Sequence, residues 1–243
     1  MAGIPLLEIF SSMQGEGPFV GVRQVFLRLP GCNLDCPYCD TKFEAQPEFR
    51  LETKAGTREF SFLPNPVKPE DLQQVMQKFD VRMHHSLSLT GGEPLLWSRE
   101  LPPFLQMIKD TGLRVYLETN GTLADRLLDV LPWVDYISMD IKLPDGGKKF
   151  WPEHLAFLRL SVAKYVFVKI VVAASTALDD LVQARDLVAM VNPSITVILQ
   201  PVTATNCIRT PAPSQLLAWQ EIMLKRLGDV RIIPQTHVFL GQL

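Results

Sequence analysis

From about residue 86 onward, short runs rich in Val, Ile, Leu and Tyr alternate with stretches whose apolar residues recur every three or four positions. The first pattern marks strands and the second marks helices. Strands are predicted at 24–29, 86–90, 114–118, 136–140, 165–172, 196–199 and 230–233, where β-branched and aromatic residues favour extended backbone. Helices packed on a sheet through one apolar face are predicted at 69–80, 100–110, 123–131, 179–191 and 214–227. This strand–helix rhythm implies an α/β chain with a mostly parallel sheet. An open doubly wound sheet and an incomplete barrel both satisfy it, and in either one ligands gather at the carboxyl ends of the strands.

The unusual polar motifs fall at those ends: Gly91-Gly92-Glu93-Pro94, Thr119-Asn120-Gly121, residues 138–142 and Gln200-Pro201. They are expected to converge on one face. Leu29-Pro30-Gly31 joins the first predicted strand directly to Cys32, so the cysteine loop belongs beside that face. Residues 43–66 break the rhythm. There, charged and apolar residues alternate on both sides of Gly56, which predicts an inserted hairpin. Its expected role is a solvated decoration or dimer edge, or else a lid or a surface for a reductant.

Composition narrows the class of partner. With 243 residues and nearly half of them hydrophobic, the chain can bury one core without disulfides, and residues 1–243 are read as a single domain. A net charge of −2 and a pI near 6.1 give no electrostatic reason to expect nucleic acid or a membrane surface. The N-terminal stretch lacks a basic region and Glu8 interrupts its apolar run, while the later run 165–174 is broken by Lys169. A cytoplasmic protein that acts on a small molecule is the resulting expectation.

Cys32, Cys36 and Cys39 stand in a C-x3-C-x2-C spacing, which gives a four-iron cluster three thiolate ligands and leaves one iron open. A structural zinc ion with a distant histidine or Cys207 as fourth ligand, or a disulfide, remains an alternative on the cysteines alone. Cys207 stands isolated between Asn206 and Ile208 and reads as an idle or buried thiol.

The cysteine loop, Leu89-Thr90-Gly91-Gly92-Glu93-Pro94 and Glu118-Thr119-Asn120-Gly121 together resemble the radical S-adenosylmethionine (SAM) superfamily. The resemblance implies an incomplete (β/α) barrel with the hairpin inserted after the cluster loop. It also implies a 4Fe-4S cluster on Cys32, Cys36 and Cys39, and SAM chelating the open iron as the source of a 5′-deoxyadenosyl radical. By similarity Gly92 lies at the SAM amino group and Glu118 and Asn120 face the ribose. Ser138, Gln200, Pro201, Val202 and Thr203 line the adenosine and sulfonium side, and Tyr38 the adenine, with Cys39 and Asp40 in the same loop.

A narrower similarity runs from Glu8-Ile9-Phe10-Ser11-Ser12-Met13-Gln14-Gly15-Glu16-Gly17 through Arg28 to Cys39-Asp40-Thr41, and it resembles 7-carboxy-7-deazaguanine synthases. What it implies is a pterin held by Met13, Gln14 and Gly15, with Arg28 and Thr90 on the substrate and the Thr41 hydroxyl on Mg2+. The implied reaction converts 6-carboxy-5,6,7,8-tetrahydropterin to 7-carboxy-7-deazaguanine with loss of ammonia, in queuosine-type deazapurine synthesis. SAM is regenerated in it. A low-potential donor of flavodoxin or ferredoxin type and a homodimer complete the implied partners.

The sequence assigns chemistry to no histidine, although the resemblance implies that the chain end, where His237 stands, lies near the substrate mouth. Two readings compete with the synthase. One is an activating enzyme for a glycyl-radical protein, which shares the cysteine loop, and the other is a zinc-stabilised binding module.

Overall fold

The computed structural model describes residues 3–39, 44–144, 147–204 and 208–242. Ten strands form one sheet: β1 (Glu8–Met13), β2 (Arg23–Leu29), β3 (Glu48–Glu52), β4 (Phe60–Pro64), β5 (Ser86–Gly91), β6 (Arg114–Thr119), β7 (Tyr136–Asp140), β8 (Tyr165–Val172), β9 (Val197–Pro201) and β10 (Val230–Ile232). Their order across the sheet is β10-β9-β8-β7-β6-β5-β2-β1-β3-β4. Strands β2 and β5 to β10 are mutually parallel, β1 runs antiparallel to β2, and the sheet stays open as an incomplete barrel.

Helices α1 (Pro69–Met76), α2 (Leu101–Asp110), α3 (Ala124–Val130), α4 (Trp151–Ser161), α5 (Leu178–Val191) and α6 (Pro213–Leu224) supply the crossovers, and a one-turn α7 (Thr236–Phe239) follows β10. Helix α2 shows why such segments fold as they do. Pro102 and Pro103 occupy its first turn, where missing N–H groups cost nothing, and Leu101, Phe104, Leu105 and Ile108 make one buried stripe. Each such side chain contributes roughly 2 kcal/mol by leaving water. Gly112, at φ +83°, lets the chain leave the helix.

Strand alternation sorts the side chains by chemistry. Leu87, Leu89, Val115, Leu117, Ile137, Met139, Val168, Ile170, Val197 and Leu199 point toward the helices and form the core. Their neighbours in register, on the concave side, run from aromatic at one end to polar at the other. Tyr116, Tyr136, Tyr165 and Phe167 surround Phe19 near the amino ends of the parallel strands, with ring centroids 5.0 to 6.3 Å from it. Thr90, Glu118, Ser138, Asp140, Lys169 and Gln200 line the cleft at the carboxyl ends.

All seven strands expected from periodicity are present within two residues of their expected ends. Strand β1 was not expected, because Glu8, Phe10 and Ser12 alternate with Ile9, Ser11 and Met13 and no face is purely apolar; it lies inside the sheet and is buried on both sides. Helix α4 was also missed, its buried face mixing Phe157 and Leu158 with His154 and Ser161. Helices α1 and α6 end three or four residues earlier than the apolar spacing suggested. The hairpin expected in residues 43–66 is present as β3 and β4. Strand β3 pairs in parallel with β1, β4 closes the hairpin at the sheet edge, and Phe49 and Leu51 enter the core.

Candidate active site

A cleft of about 1310 Å³ opens at the carboxyl ends of the parallel strands. The loop carrying Cys32, Cys36 and Cys39 forms its rim, and that loop is fastened to the strand-end motifs by backbone geometry. Gly92 N donates to Leu29 O at 3.1 Å, Glu93 N to Gly31 O at 2.8 Å, and Trp97 Nε1 to Pro30 O at 2.9 Å. The close approach needs a glycine at 91: its φ is +118°, and a Cβ there would lie 2.3 Å from Leu29 O.

Glu93 is the buried pin of this region. Its carboxylate accepts from Leu95 N, Thr119 Oγ1 and Asn120 N at 3.1, 2.9 and 2.8 Å, and burial nonetheless pushes its pKa up to about 7. Asn120 Nδ2 donates to Asn33 Oδ1 at 2.8 Å, and Asn33 Nδ2 to Thr122 Oγ1 at 2.9 Å. The end of β6 is thereby tied to the cysteine loop.

His154 supports the same turn from α4. Its Nε2 lies 3.2 Å from Asn120 O and 3.5 Å from Lys142 N, and among the described residues Nδ1 has no hydrogen-bond partner. Burial lowers the pKa of His154 from 6.5 to about 4, with Asp140, Lys142 and Glu153 the charges around it. The fold accepts the neutral ring, so its contribution is complete above pH 6.5 and is lost as pH falls toward 4, by roughly 3 kcal/mol at full loss. Burial also lowers the pKa of His84 and of His85, which act in the same direction. The stability of His154→Gln should therefore fall less steeply than wild type between pH 6.5 and 4.5 in denaturant titrations. Parallel profiles would remove the assignment.

The polar floor forms two networks. Glu118 accepts from Gln14 Nε2 at 3.0 Å, Ser88 Oγ at 2.9 Å and Thr90 Oγ1 at 2.9 Å, and Gln14 continues to Gln24 Oε1 at 2.9 Å. Glu16 is paired with Lys169 and also accepts from Gln200 Nε2 and Gln235 Nε2, each at 3.0 Å. Burial alone would raise the Glu16 pKa, but the Lys169 ammonium overrides it and holds the carboxyl at about 2. Lys169 also lies 3.7 Å from Asp140, which is bonded to Lys142 at 2.8 Å. The Lys142 ammonium stands 5.3 Å from the centre of the Tyr38 ring.

The cleft brings together Cys32, Cys36, Cys39, Tyr38, Gly92, Glu118, Asn120, Ser138 and Gln200 with Met13, Gln14, Gly15, Arg28 and Thr90. Pro201, Val202 and Thr203 do not line it. Gln200 faces the cleft and alternation turns Pro201 away, Val202 N bonds back to Val172 O, and Thr203 is exposed with its hydroxyl on Gln235 Oε1 at 2.6 Å. Asp40, Thr41 and Cys207 lie outside the described residues.

His237 does line the cleft. Its ring rests on Gly15, where a Cβ would come within 2.1 Å of Nδ1, and Thr236 donates through N and Oγ1 to Gly15 O. Sequence reasoning missed Glu16, Asp140, Lys142 and Lys169 as site residues, and also Glu8 and Arg50. Signals were available: Asp140 and Lys142 lie in the polar run 138–142, Glu8 and Glu16 in the 8–17 motif, and Lys169 is a lone charge inside an otherwise apolar strand.

The donor set suits an iron–sulfur cluster. Three cysteines sit on one loop at the rim, the number of soft sulfur donors that a four-iron cluster with one open iron takes. Burial pushes the Cys32 and Cys36 thiols up, and the Lys142 charge opposes that at both. Two cleft residues, Asp140 and Gln200, also carry buried acceptors, Oδ1 and Oε1, without a hydrogen-bond partner among the described residues. These are places where a donor-bearing cofactor fits.

A model of the radical SAM superfamily matches residues 27–154, more than half of the chain. The chain belongs to that superfamily, whose members hold a 4Fe-4S cluster and SAM. It is 42% identical to the 7-carboxy-7-deazaguanine synthase of Geobacter sulfurreducens over 99% of this chain and 98% of that one. It is 32% identical to the enzyme of the same name from Methanocaldococcus jannaschii over 97% and 99%. Within the superfamily it belongs to the 7-carboxy-7-deazaguanine synthase family. The crystal structure of QueE from Escherichia coli shares the fold, with a TM-score of 0.64 over 97% of this chain and 95% of that one at 24% identity.

Proposed function

We propose that this protein converts 6-carboxy-5,6,7,8-tetrahydropterin to 7-carboxy-7-deazaguanine with release of ammonia. The observation that carries the reading is that one cleft sets the three-cysteine loop opposite the Met13-Gln14-Gly15-Glu16 segment. The activase and zinc-module readings have no comparable feature in their favour.

Cys32, Cys36 and Cys39 would hold the cluster, and Gly92, Asn120, Ser138, Asp140 and Gln200 border the space for SAM. When bound, these groups supply a carbon-centred radical that removes and later returns one hydrogen atom. Everything else is aim and exclusion, since such a radical attacks nearly any C–H bond within reach. Gln14 and Glu118, locked to each other and to Thr90, offer a rigid edge of polar atoms to a flat heterocycle. The Thr236 bonds to Gly15 O and the Gln235 bond to Glu16 hold the Gly15–Glu16 turn in place. Arg28 presents a guanidinium to the substrate carboxylate.

Mg2+ would bind beside that carboxylate through the Thr41 hydroxyl, with water completing its oxygen shell. Thr41→Ala should leave the iron content unchanged and require about tenfold more Mg2+ for half-maximal rate. Identical Mg2+ dependence in both proteins would take the role from Thr41. The remaining elements of the reading are a flavodoxin- or ferredoxin-type reductant, a homodimer and a cytoplasmic location. Among the described residues no helix is long and apolar enough to cross a membrane.

The test is an anaerobic assay of the reconstituted protein with SAM, dithionite, Mg2+ and the carboxytetrahydropterin, following product by mass. Product with little net loss of SAM supports the reading. Slow SAM cleavage with the pterin untouched overturns it.

A further inference from the structure

The hairpin β3–β4 carries an arginine into the cleft. Arg28, Glu8 and Arg50 lie side by side on β2, β1 and β3, in register across three adjacent strands, and all three line the cleft. Glu8 is buried, and both its carboxylate oxygens are used, Oε1 by Arg28 Nε at 2.7 Å and Oε2 by Arg50 Nη2. One carboxylate thus anchors two guanidinium groups on a wall where Glu44 and Glu48 also line the cleft. The opposite wall differs, because Glu16 and Asp140 there have Lys169 and Lys142 as counterions.

Arg50 is held but not consumed. Its side chain is 49% exposed, its guanidinium carbon stands 5.0 Å from the centre of the Phe60 ring, and among the described residues its other guanidinium N–H groups meet no acceptor. A planar guanidinium fixed on one edge by a buried carboxylate and on one face by an aromatic ring is preorganised to bind a second carboxylate on its remaining edge.

We propose that Arg50 is a second carboxylate-recognition residue that acts with Arg28 on the substrate's carboxyl group, with Glu8 as the positioning residue that sets the two guanidinium groups side by side. The inference rests on the pterin reading given above and deepens it, since it assigns to the β3–β4 wall the selection of carboxylated over uncarboxylated pterins.

The test compares binding of pterin-6-carboxylate and of unsubstituted pterin to the reconstituted protein with SAM and Mg2+, read by pterin fluorescence. Wild type should prefer the carboxylated compound. Arg50→Met should weaken that compound by about tenfold or more and leave unsubstituted pterin within about twofold. Arg50→Lys, which keeps the charge but not the planar fork, should recover only part of the preference. Unchanged preference in Arg50→Met overturns the proposal, and so does equal weakening of both compounds, because that reports a damaged wall. Wild-type protein that binds neither compound overturns the substrate reading and this inference with it.

Discussion

Replacing Glu93 by alanine should lower the melting temperature of the protein by about 10 °C, reflecting roughly 3–5 kcal/mol, and should reduce the iron loaded on reconstitution. The carboxylate gathers three donors from two separate segments: Leu95 N on its own turn, and Thr119 Oγ1 and Asn120 N at the end of β6. With alanine those N–H groups stay buried without acceptors, at about 1–3 kcal/mol each and less than additively. The damage spreads along a short path, since Asn120 holds Asn33 and Asn33 lies next to Cys32. Glu93→Gln should fall between. Its carbonyl replaces one oxygen, but its amide turns toward a donor, and only the Thr119 hydroxyl can rotate to accept. A Glu93→Ala protein that melts with wild type and loads the same iron would show that the pin carries no weight.

The parallel strands were legible because each is a short β-branched run in which every helix-facing position is apolar, and their helices were legible wherever one stripe was cleanly apolar, as in α2. Strand β1 was not, since both of its faces are buried and each mixes polar with apolar residues, so alternation carries no signal. The hairpin could be seen from its own residues, but its place could not. The pairing Glu8↔Arg50 joins segments about forty residues apart, and nothing local in either one announces the other. The same limit explains the site. Cys32, Gly92 and Gln14 sit in compact motifs and could be named in advance. Gln200 was named as well, but Glu16, Lys169 and Gln235, from three distant segments, join it only when the barrel brings them together.

Lys169→Met should destabilise the protein by roughly 3–5 kcal/mol and cut kcat/KM by about a hundredfold or more. The loss comes from what is left behind. Glu16 would keep only its two amide donors, Gln200 and Gln235, and Asp140 would keep only Lys142. In the native protein the Glu16 carboxyl titrates at about 2 instead of 4.5. A depressed carboxyl stabilises the fold fully above pH 4.5 and ceases to do so as pH falls toward 2, a change of roughly 3 kcal/mol. Without the ammonium, burial dominates and the Glu16 pKa rises past 4.5, so the acid limb of the stability profile should flatten or reverse. The double variant Lys169→Met with Glu16→Gln removes both charges and keeps the shape of the floor. It should regain most of the lost stability but not the activity, because Glu16 and Lys169 both line the cleft and fix the Gly15–Glu16 turn and the charge beneath the reacting centre. If the double variant recovers activity together with stability, the pair is scaffolding alone. If the single variant keeps a wild-type acid limb, Lys169 is not what holds Glu16 ionised.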